Sequence, residues 1–274
     1  STALGKSTQA TSSYSFAAGN TTQATSQGST AFGWFTEATS PFSTAMGSGS
    51  VASGSWSTAM GRNTTADGSY STAMGRDTNA TGDYSTAMGQ YSVADGKSST
   101  AMGYGSIASD YSSLVIGYFN LNGSTVTGSA TQANSANTAF VIGNGTFSNR
   151  SDAFKVMFNG DATVGNDLTV SGDVVINSDM RLKANILSLG STLYKLLQID
   201  GKTYTMKKNG KQKIGVLAQD IQKVFPELVT TDDKDMLAVN YQGLVPVLIN
   251  ALKEQQSEID ELKEMFKELI IKQE

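Results

Sequence analysis

Residues 1–117 repeat one fourteen-residue pattern of small, apolar and polar positions nine times without an insertion. In each copy the opening residues alternate, as in Thr44-Ala45-Met46, and a period of two predicts a short β-strand. Fourteen residues are too few for a helical hairpin, but they accommodate two short strands and two turns. The pattern therefore predicts one coil of a β-solenoid per copy, with alanine in a thin interior and methionine on the opposite face.

The fifth position of the repeat is glycine in every copy, and the tenth is alanine in all eight complete copies. A fixed glycine indicates a positive φ or a close approach of two backbones, so we interpret these residues as turn glycines. They are clearest in the copies that read Ser-Thr-Ala-Met-Gly, at Gly47, Gly61, Gly75, Gly89 and Gly103. The larger fourth position needs another surface to cover it, and a symmetric neighbour is the simplest one.

The copy from Ser71 to Tyr84 combines Ser-Thr-Ala-Met-Gly with x-x-Thr-x-Ala-x-Gly-x-Tyr. This motif resembles the head repeats of YadA-like trimeric autotransporter adhesins, and similar repeats occur in some phage tail fibres. The resemblance covers residues 1–117 and implies a left-handed parallel β-roll, with three chains packed around a common axis.

Residues 118–177 lose the fourteen-residue period and read as short segments separated by glycine. Strands are predicted over residues 138–143 and 153–158, and over the short quasi-repeat segments 162–166, 168–172 and 174–177. Asn-Gly pairs at 144–145 and 159–160 predict hairpin turns. Because these strands carry too few apolar residues for a core of their own, we expect an intertwined β-stalk.

Residues 178–274 form a third region, which holds 28 of the 44 charged residues. It begins with Ser178-Asp179-Met180-Arg181-Leu182-Lys183, which follows Asn177. This motif, a second at 214–229 and a third at 238–249 resemble the endosialidase-type intramolecular chaperone. The resemblance implies a small α+β domain and therefore a mainly β chain of three regions, 1–117, 118–177 and 178–274.

Members of that family cleave themselves just before the serine with a serine–lysine dyad. The resemblance implies Ser178 as the nucleophile, Lys183 as the base and Asn177–Ser178 as the scissile bond. A lysine can act as a base only when it is neutral, and burial favours the neutral form. From the residue types alone, Ser178 is equally a turn residue and Lys183 a solvated side chain.

The last segment is predicted to be a helix from about residue 241. Its apolar residues alternate by three and four, which predicts the seam of a trimeric coiled coil with one polar layer. The seam comprises Val245, Leu248, Leu252, Gln255, Ile259, Leu262, Phe266 and Leu269. A single core-facing helix would show a similar stripe, but the β-roll independently requires three chains.

Composition excludes several classes of function. The chain has no cysteine and no histidine, which removes disulfides, cysteine nucleophiles and imidazole bases, and we expect no metal or cofactor. The net charge of −4 gives no broad basic surface for nucleic acid. No run of 18 apolar residues exists to cross a membrane. The absence of an initiator methionine indicates a piece of a longer protein.

These features favour a homotrimeric surface adhesin or fibre tip, extracellular on a cell surface or a virion. Its carboxyl-terminal chaperone would drive trimerisation and then cleave itself off, with no external substrate. The ligand, a glycan or an extracellular protein, is not specified, and the aromatic series Phe42, Trp56, Tyr70 and Tyr84 fits either packing or sugar stacking. The alternative is a phage tailspike or fibre that binds or acts on a host polysaccharide through paired carboxylates such as Asp95 and Asp110.

Overall fold

The computed structural model describes residues 1–121, 128–232 and 235–272. The chain divides into two compact units, Ser1–Val174 and Val175–Glu274. The first unit is a β-solenoid with a short β extension. The second is a small α+β unit that ends in a long helix.

Each repeat forms a five-residue strand at positions 2–6 and a two-residue strand at positions 9–10. The polypeptide bends at positions 7–8, the first turn, and at positions 11–14, the second turn. The solenoid strands are β1 (Thr2–Lys6), β2 (Gln9–Ala10), β3 (Phe16–Asn20), β4 (Gln23–Ala24), β5 (Thr30–Trp34), β6 (Glu37–Ala38), β7 (Thr44–Ser48), β8 (Val51–Ala52), β9 (Thr58–Arg62), β10 (Thr65–Ala66), β11 (Thr72–Arg76), β12 (Asn79–Ala80), β13 (Thr86–Gln90), β14 (Val93–Ala94), β15 (Thr100–Tyr104), β16 (Ile107–Ala108) and β17 (Leu114–Tyr118).

Successive coils stack as two parallel sheets, one of the long strands and one of the short strands. The register advances by one repeat at each step, so that Ala73 pairs with Ala59 and Ala87. The same residue type therefore recurs along each row of the sheet. This confirms the coil predicted from the period.

The interior of the solenoid is as thin as the sequence predicts. The alanines at the third and tenth positions are fully buried from Ala17 to Ala108. Val115 and Val141 continue this buried row at the end of the solenoid. The hydroxyl residues at the first and eighth positions are also buried from Ser15 onward. Some of them donate to backbone carbonyls, as Ser50 Oγ does to Gly61 O at 3.0 Å. The core therefore combines methyl groups with small hydroxyls.

The repeat glycines correct one detail of the sequence interpretation. Gly47, Gly61, Gly75, Gly89 and Gly103 lie inside the long strands and not in the turns. Gly75 has φ +121°, and a Cβ there would lie 2.0 Å from the carbonyl oxygen of Gly89 in the next coil. Both the positive φ and the close approach of two backbones therefore require glycine. The left-handed turn residues are at positions 7 and 14 and are mostly not glycine, for example Asp77 at φ 52° and Tyr84 at φ 59°.

The region after the repeats continues the long sheet. β18 (Thr138–Asn144) pairs in parallel with β17, and β19 (Asp152–Met157) and β20 (Ala162–Val164) follow as antiparallel strands. The first three strands predicted here are confirmed. Segments 168–172 and 174–177 lie exposed and outside strands and helices within this single chain, so the strands predicted there remain a prediction for the assembled stalk.

The second unit combines short helices and hairpins with one long helix. Its elements are α1 (Leu193–Leu196), β21 (Lys202–Thr205), β22 (Gln212–Gly215), α2 (Ala218–Val224), β23 (Val229–Thr231), β24 (Leu237–Val239) and α3 (Leu244–Ile271). Within the described residues, its core centres on Ile221, Phe225 and Val247. Partly buried apolar residues from α1, α2 and the β23–β24 hairpin pack around these three side chains.

Candidate functional site

A tight turn brings Ser178 and Lys183 together. Residues Met180–Leu182 form a single 3₁₀ turn, in which the amide of Lys183 donates to the carbonyl of Met180 at 3.0 Å. This turn reverses the chain over five residues. As a result, Lys183 Nζ donates to Ser178 Oγ across 2.6 Å.

Asp179 and Arg181 stabilise the same turn from its outer side. The Asp179 carboxylate caps the turn by accepting from the backbone N–H of Arg181 at 2.8 Å. The Arg181 guanidinium also forms an ion pair with that carboxylate, with Nη2 2.7 Å from Oδ2. These bonds lower the pKa of Asp179, chiefly through the Arg181 side chain, and raise the pKa of Arg181. Asp179 therefore bonds to Arg181, whereas Lys183 bonds to Ser178.

The dyad is exposed to solvent within this unit. Ser178 and Lys183 are both exposed, and so are the apolar side chains around them, Met180, Leu182 and Ile186. In the observed contact the lysine is the donor, whereas a general base must be neutral and accept the serine proton. The two groups have the spacing for proton transfer, but the described residues do not exclude water from them.

The terminal helix α3 presents two different faces. Val247 and Ala251 are buried against the core of their own unit. The seven apolar residues of the predicted seam are exposed instead, from Phe266 at 65% to Ile259 at 40%. The stripe that packs within the chain and the stripe predicted for the seam are therefore separate sets of residues.

The aromatic series on the second turn is a stack of rings. Phe42 and Trp56 lie 4.2 Å apart between ring centroids at 16°, and Tyr70 and Tyr84 lie 5.0 Å apart at 2°. Trp56 and Tyr70 are also parallel, with centroids 6.1 Å apart. Because each inner ring covers the face of its neighbours, mainly ring edges face solvent. This arrangement favours packing over the stacking of a sugar on an open ring face.

The two acidic residues considered for a paired-carboxylate site have structural partners. Asp95 accepts from the Thr81 hydroxyl at 2.6 Å. Asp110 is fully buried and accepts from the backbone N–H of Thr138 at 2.7 Å. Among the residues that the structure describes, no three acidic side chains cluster in a way that could hold a metal ion.

Glu254 makes a contact that the sequence interpretation missed. This residue of α3 accepts from the backbone N–H of Thr192 at 2.5 Å and from the Ser191 hydroxyl at 2.7 Å. The Leu193 N–H donates to the same carboxylate at 3.2 Å. Glu254 thus ties the start of α1 to the terminal helix. The partners lie more than 60 residues apart, so no local pattern indicates the pairing.

Two family models match separate parts of the chain. The YadA head domain repeat, a two-copy model, matches the solenoid in overlapping segments at residues 1–22, 10–36, 24–50, 38–64, 52–78, 66–92 and 94–120. The chaperone of endosialidase matches residues 178–230, beginning at the serine of the dyad. Both resemblances seen in the sequence are confirmed, in the same order.

Similar proteins are long tail fibre proteins of phages. The chain is 32% identical over 123 residues to the long tail fiber protein Gp37 of Salmonella phage S16, across 41% of this chain and 16% of the relative. It is 36% identical over 99 residues to Gp37 of Enterobacteria phage Ox2, across 32% of this chain and 39% of the relative. The matches therefore span well under half of these relatives.

In the part of the chain that the structure describes, no helix has both the length and the apolar character to cross a bilayer. Residues 1–120 match the YadA head domain repeat, and residues 178–230 match the chaperone of endosialidase.

Proposed function

We propose that the chain is part of a homotrimeric fibre or adhesin, on a virion or a cell surface, with a chaperone that assembles three copies and then cleaves itself off. The observation that carries this proposal is the order of the two domains, repeats first and chaperone last. The tail fibre relatives favour the virion. A chaperone at the end of synthesis suits a slow-folding parallel β-structure, because it gathers the three chains first.

The exposed seam of α3 supports the trimer. Leu252, Leu262 and Phe266 each leave half or more of their surface in water. Burial of apolar surface contributes roughly 25 cal/mol per Å², so matching seams on three copies would associate. Gln255 then forms one polar layer, which fixes the register.

A second apolar row lies on the long sheet of the solenoid. The fourth positions place Met46, Met60, Met74, Met88 and Met102 side by side, all partly exposed. Phe32, in the same row, is 55% exposed. Packing this row against the same row of neighbouring copies would extend the trimer along the head.

Trimer assembly would also complete the dyad. A neighbouring copy that covers Met180, Leu182 and Ile186 would exclude water from Lys183 and favour its neutral amine. Lys183 then takes the proton from Ser178 Oγ, and Oγ bonds to the carbonyl carbon of Asn177. The bond from that carbon to the Ser178 nitrogen breaks, and the nitrogen receives the proton from Lys183. Water hydrolyses the ester, which leaves a carboxylate on Asn177 and a free amine on Ser178.

Intact mass under denaturing conditions tests the cleavage. The folded protein is expected to give two fragments, 1–177 and 178–274, whereas Ser178→Ala and Lys183→Ala give one full-length mass. Ser188→Ala is the matched control, because Ser188 is an exposed serine of the same segment, and it should cleave normally. A single full-length mass for the unmodified protein after prolonged incubation would contradict cleavage and leave the domain as a permanent clamp.

Light scattering on the uncleaved Ser178→Ala protein tests the trimer separately. We expect three times the chain mass of 28.8 kDa, and a lower mass after Leu252→Asp with Leu262→Asp. Lys253→Asp changes the charge of an exposed neighbour outside the seam and should leave the mass unchanged. In the chain with an intact dyad, the seam variant should also lose cleavage. A seam variant that stays trimeric would contradict the coiled coil.

A further inference from the structure

The first turn of the solenoid carries a surface that the repeat itself does not require. Its side chains at positions 6 and 7, the first-turn edge, differ from copy to copy, whereas positions 5, 8 and 10 are nearly constant. The backbone of this edge is nevertheless uniform. Asp77 N–H donates to Arg62 O at 2.8 Å, and Tyr91 N–H donates to Arg76 O at 3.0 Å in the next coil. Because backbone hydrogen bonds hold the turn, the coil does not depend on which side chains occupy positions 6 and 7.

Charge is segregated between the two turns. Residues 1–118 contain four cations, and three of them, Lys6, Arg62 and Arg76, lie at position 6. Of the six acidic residues in that span, one lies on this edge, at Asp77. The others lie at position 9 or on the second turn. The solenoid therefore places three of its four cations, and one of its six acidic residues, on this edge.

The aromatic rings on this edge have a different arrangement from the stack on the second turn. Tyr91 and Tyr104 lie 5.8 Å apart at 56°, and Tyr104 meets Phe119 edge-on at 4.8 Å and 76°. Tyr91 and Tyr104 are each 42% exposed. Neither ring is buried, so part of each ring surface remains accessible to a ligand.

The arginines are placed beside these rings. The Arg76 guanidinium lies 5.8 Å from the Tyr91 ring centroid and pairs with Asp77 at 3.0 Å. Its side chain remains 50% exposed, and Arg62 in the preceding coil is exposed too. Coils stack about 4.8 Å apart, so the edge from Arg62 to Tyr104 extends roughly 14 Å along the solenoid.

We propose that the first-turn edge from Arg62 to Tyr104 binds an acidic polysaccharide along the solenoid axis. Arg62 and Arg76 would bind its anionic groups, and Tyr91 and Tyr104 would pack against the apolar faces of the sugar rings. Asn63 and Gln90, on the same edge, supply amides for hydroxyl groups. This inference rests on the proposed function of an adhesive fibre and names the part of it that makes contact.

Binding to carboxymethyl dextran, with unmodified dextran as the uncharged probe of the same backbone, tests the proposal. The variants are Arg62→Ser with Arg76→Ser, and Tyr91→Ser with Tyr104→Ser. Serine already occupies these positions in other copies, at Ser48 and Ser7, so the fold should tolerate it. Lys97→Ser with Lys155→Ser is the matched control, because it removes two cations of the same unit elsewhere.

We expect salt-sensitive binding of the unmodified protein to carboxymethyl dextran, at least about tenfold tighter than to dextran. The arginine variant should lose about tenfold, the tyrosine variant about fivefold, and the lysine control should be unchanged.

Three results would overturn the proposal: equal affinity for the two dextrans, an equal loss in the lysine control, or an unaffected tyrosine variant. The last would leave only non-specific charge attraction. Light scattering on every variant separates this test from the proposed trimer. An unmodified trimer that does not distinguish the dextrans refutes the site alone, and a variant that dissociates would make this edge an interface between copies.

Discussion

The solenoid buries its small apolar side chains within one chain, whereas the carboxyl-terminal unit leaves many of its apolar side chains exposed. In the first unit, each coil covers the alanines of the next, and these residues are fully buried from Ala17 onward within one chain. In the second unit, three apolar side chains form the centre of the core, while Leu252, Phe266 and Leu187 remain mostly exposed. A repeat supplies its own neighbours, whereas a small non-repeating domain must find them elsewhere.

This difference indicates which unit gains more from association with further copies. The interior of the solenoid is buried within one chain, so in the proposed trimer further copies would pack only along its methionine row. The carboxyl-terminal unit has most to gain from association, and in the proposed trimer it would associate first. The comparison can be tested by changing each unit in a way that should leave the other intact.

The largest effect is expected from Phe225→Ala in the second unit. Phe225 is 3% exposed and is one of three central core residues, so its loss should destabilise this unit by roughly 3–5 kcal/mol. Thermal unfolding followed by the helical circular dichroism signal would measure the loss, with the β signal of the solenoid unchanged. Tyr194→Ala removes an exposed ring of the same unit and serves as the control. A solenoid that unfolds together with the second unit would contradict their independence.

A slightly smaller effect is expected from Gly75→Ala in the solenoid. The new Cβ would meet the Gly89 carbonyl at 2.0 Å, and φ is +121°. The backbone strain alone costs roughly 1–3 kcal/mol, and the overlap adds to it.

Thermal unfolding of the β signal should show this loss, with the helical signal unaffected. Gly49→Asn is the matched control, because Asn63 already occupies the same left-handed position one coil later. Equal stability of the two variants would show that the close approach of Gly75 and Gly89 is not what requires glycine.

The smallest effect is a pH dependence confined to the second unit. The N–H of Thr192 and the Ser191 hydroxyl lower the pKa of Glu254 below its usual 4.5. A carboxylate with a lowered pKa stabilises the fold above its unfolded-state value, and this contribution is lost as the pH falls through the lowered value.

In the unmodified protein, the temperature midpoint of helical unfolding should therefore decrease as the pH is lowered below about 4.5. In Glu254→Gln, this midpoint should depend less on pH. Glu258→Gln, an exposed residue one helical turn later, should retain the full dependence. An unchanged profile in Glu254→Gln would mean that this carboxylate does not stabilise α1.

The sequence predicted the repeating part of the fold more completely than the rest. The coil, the alanine rows and the strands up to β20 follow from local period and turn chemistry. The strands predicted over 168–172 and 174–177 remain a prediction, because a strand needs a partner and the described residues of one chain offer none to either segment. The repeat glycines were assigned to turns, but they lie in the long strands, because the period alone does not say which part of a coil carries the positive φ.

The candidate dyad was visible because Ser178 and Lys183 lie five residues apart in a recognisable motif. The 3₁₀ turn that brings their side chains together, and the Asp179–Arg181 pair that stabilises it, came from the structure. Glu254 was missed because its partners lie more than 60 residues away.

By itself, the sequence determined the length of each coil, the identity of its interior and the order of the two domains, because a regular repeat gives every copy the same environment. Only the tertiary structure decided which side chains of successive coils face one another. It separated the stacked rings of Phe42 to Tyr84 from the tilted rings of Tyr91 and Tyr104, and it aligned Arg62 with Arg76 on one edge. The physical reason is that stacking converts a separation of fourteen residues along the chain into direct contact between neighbouring strands.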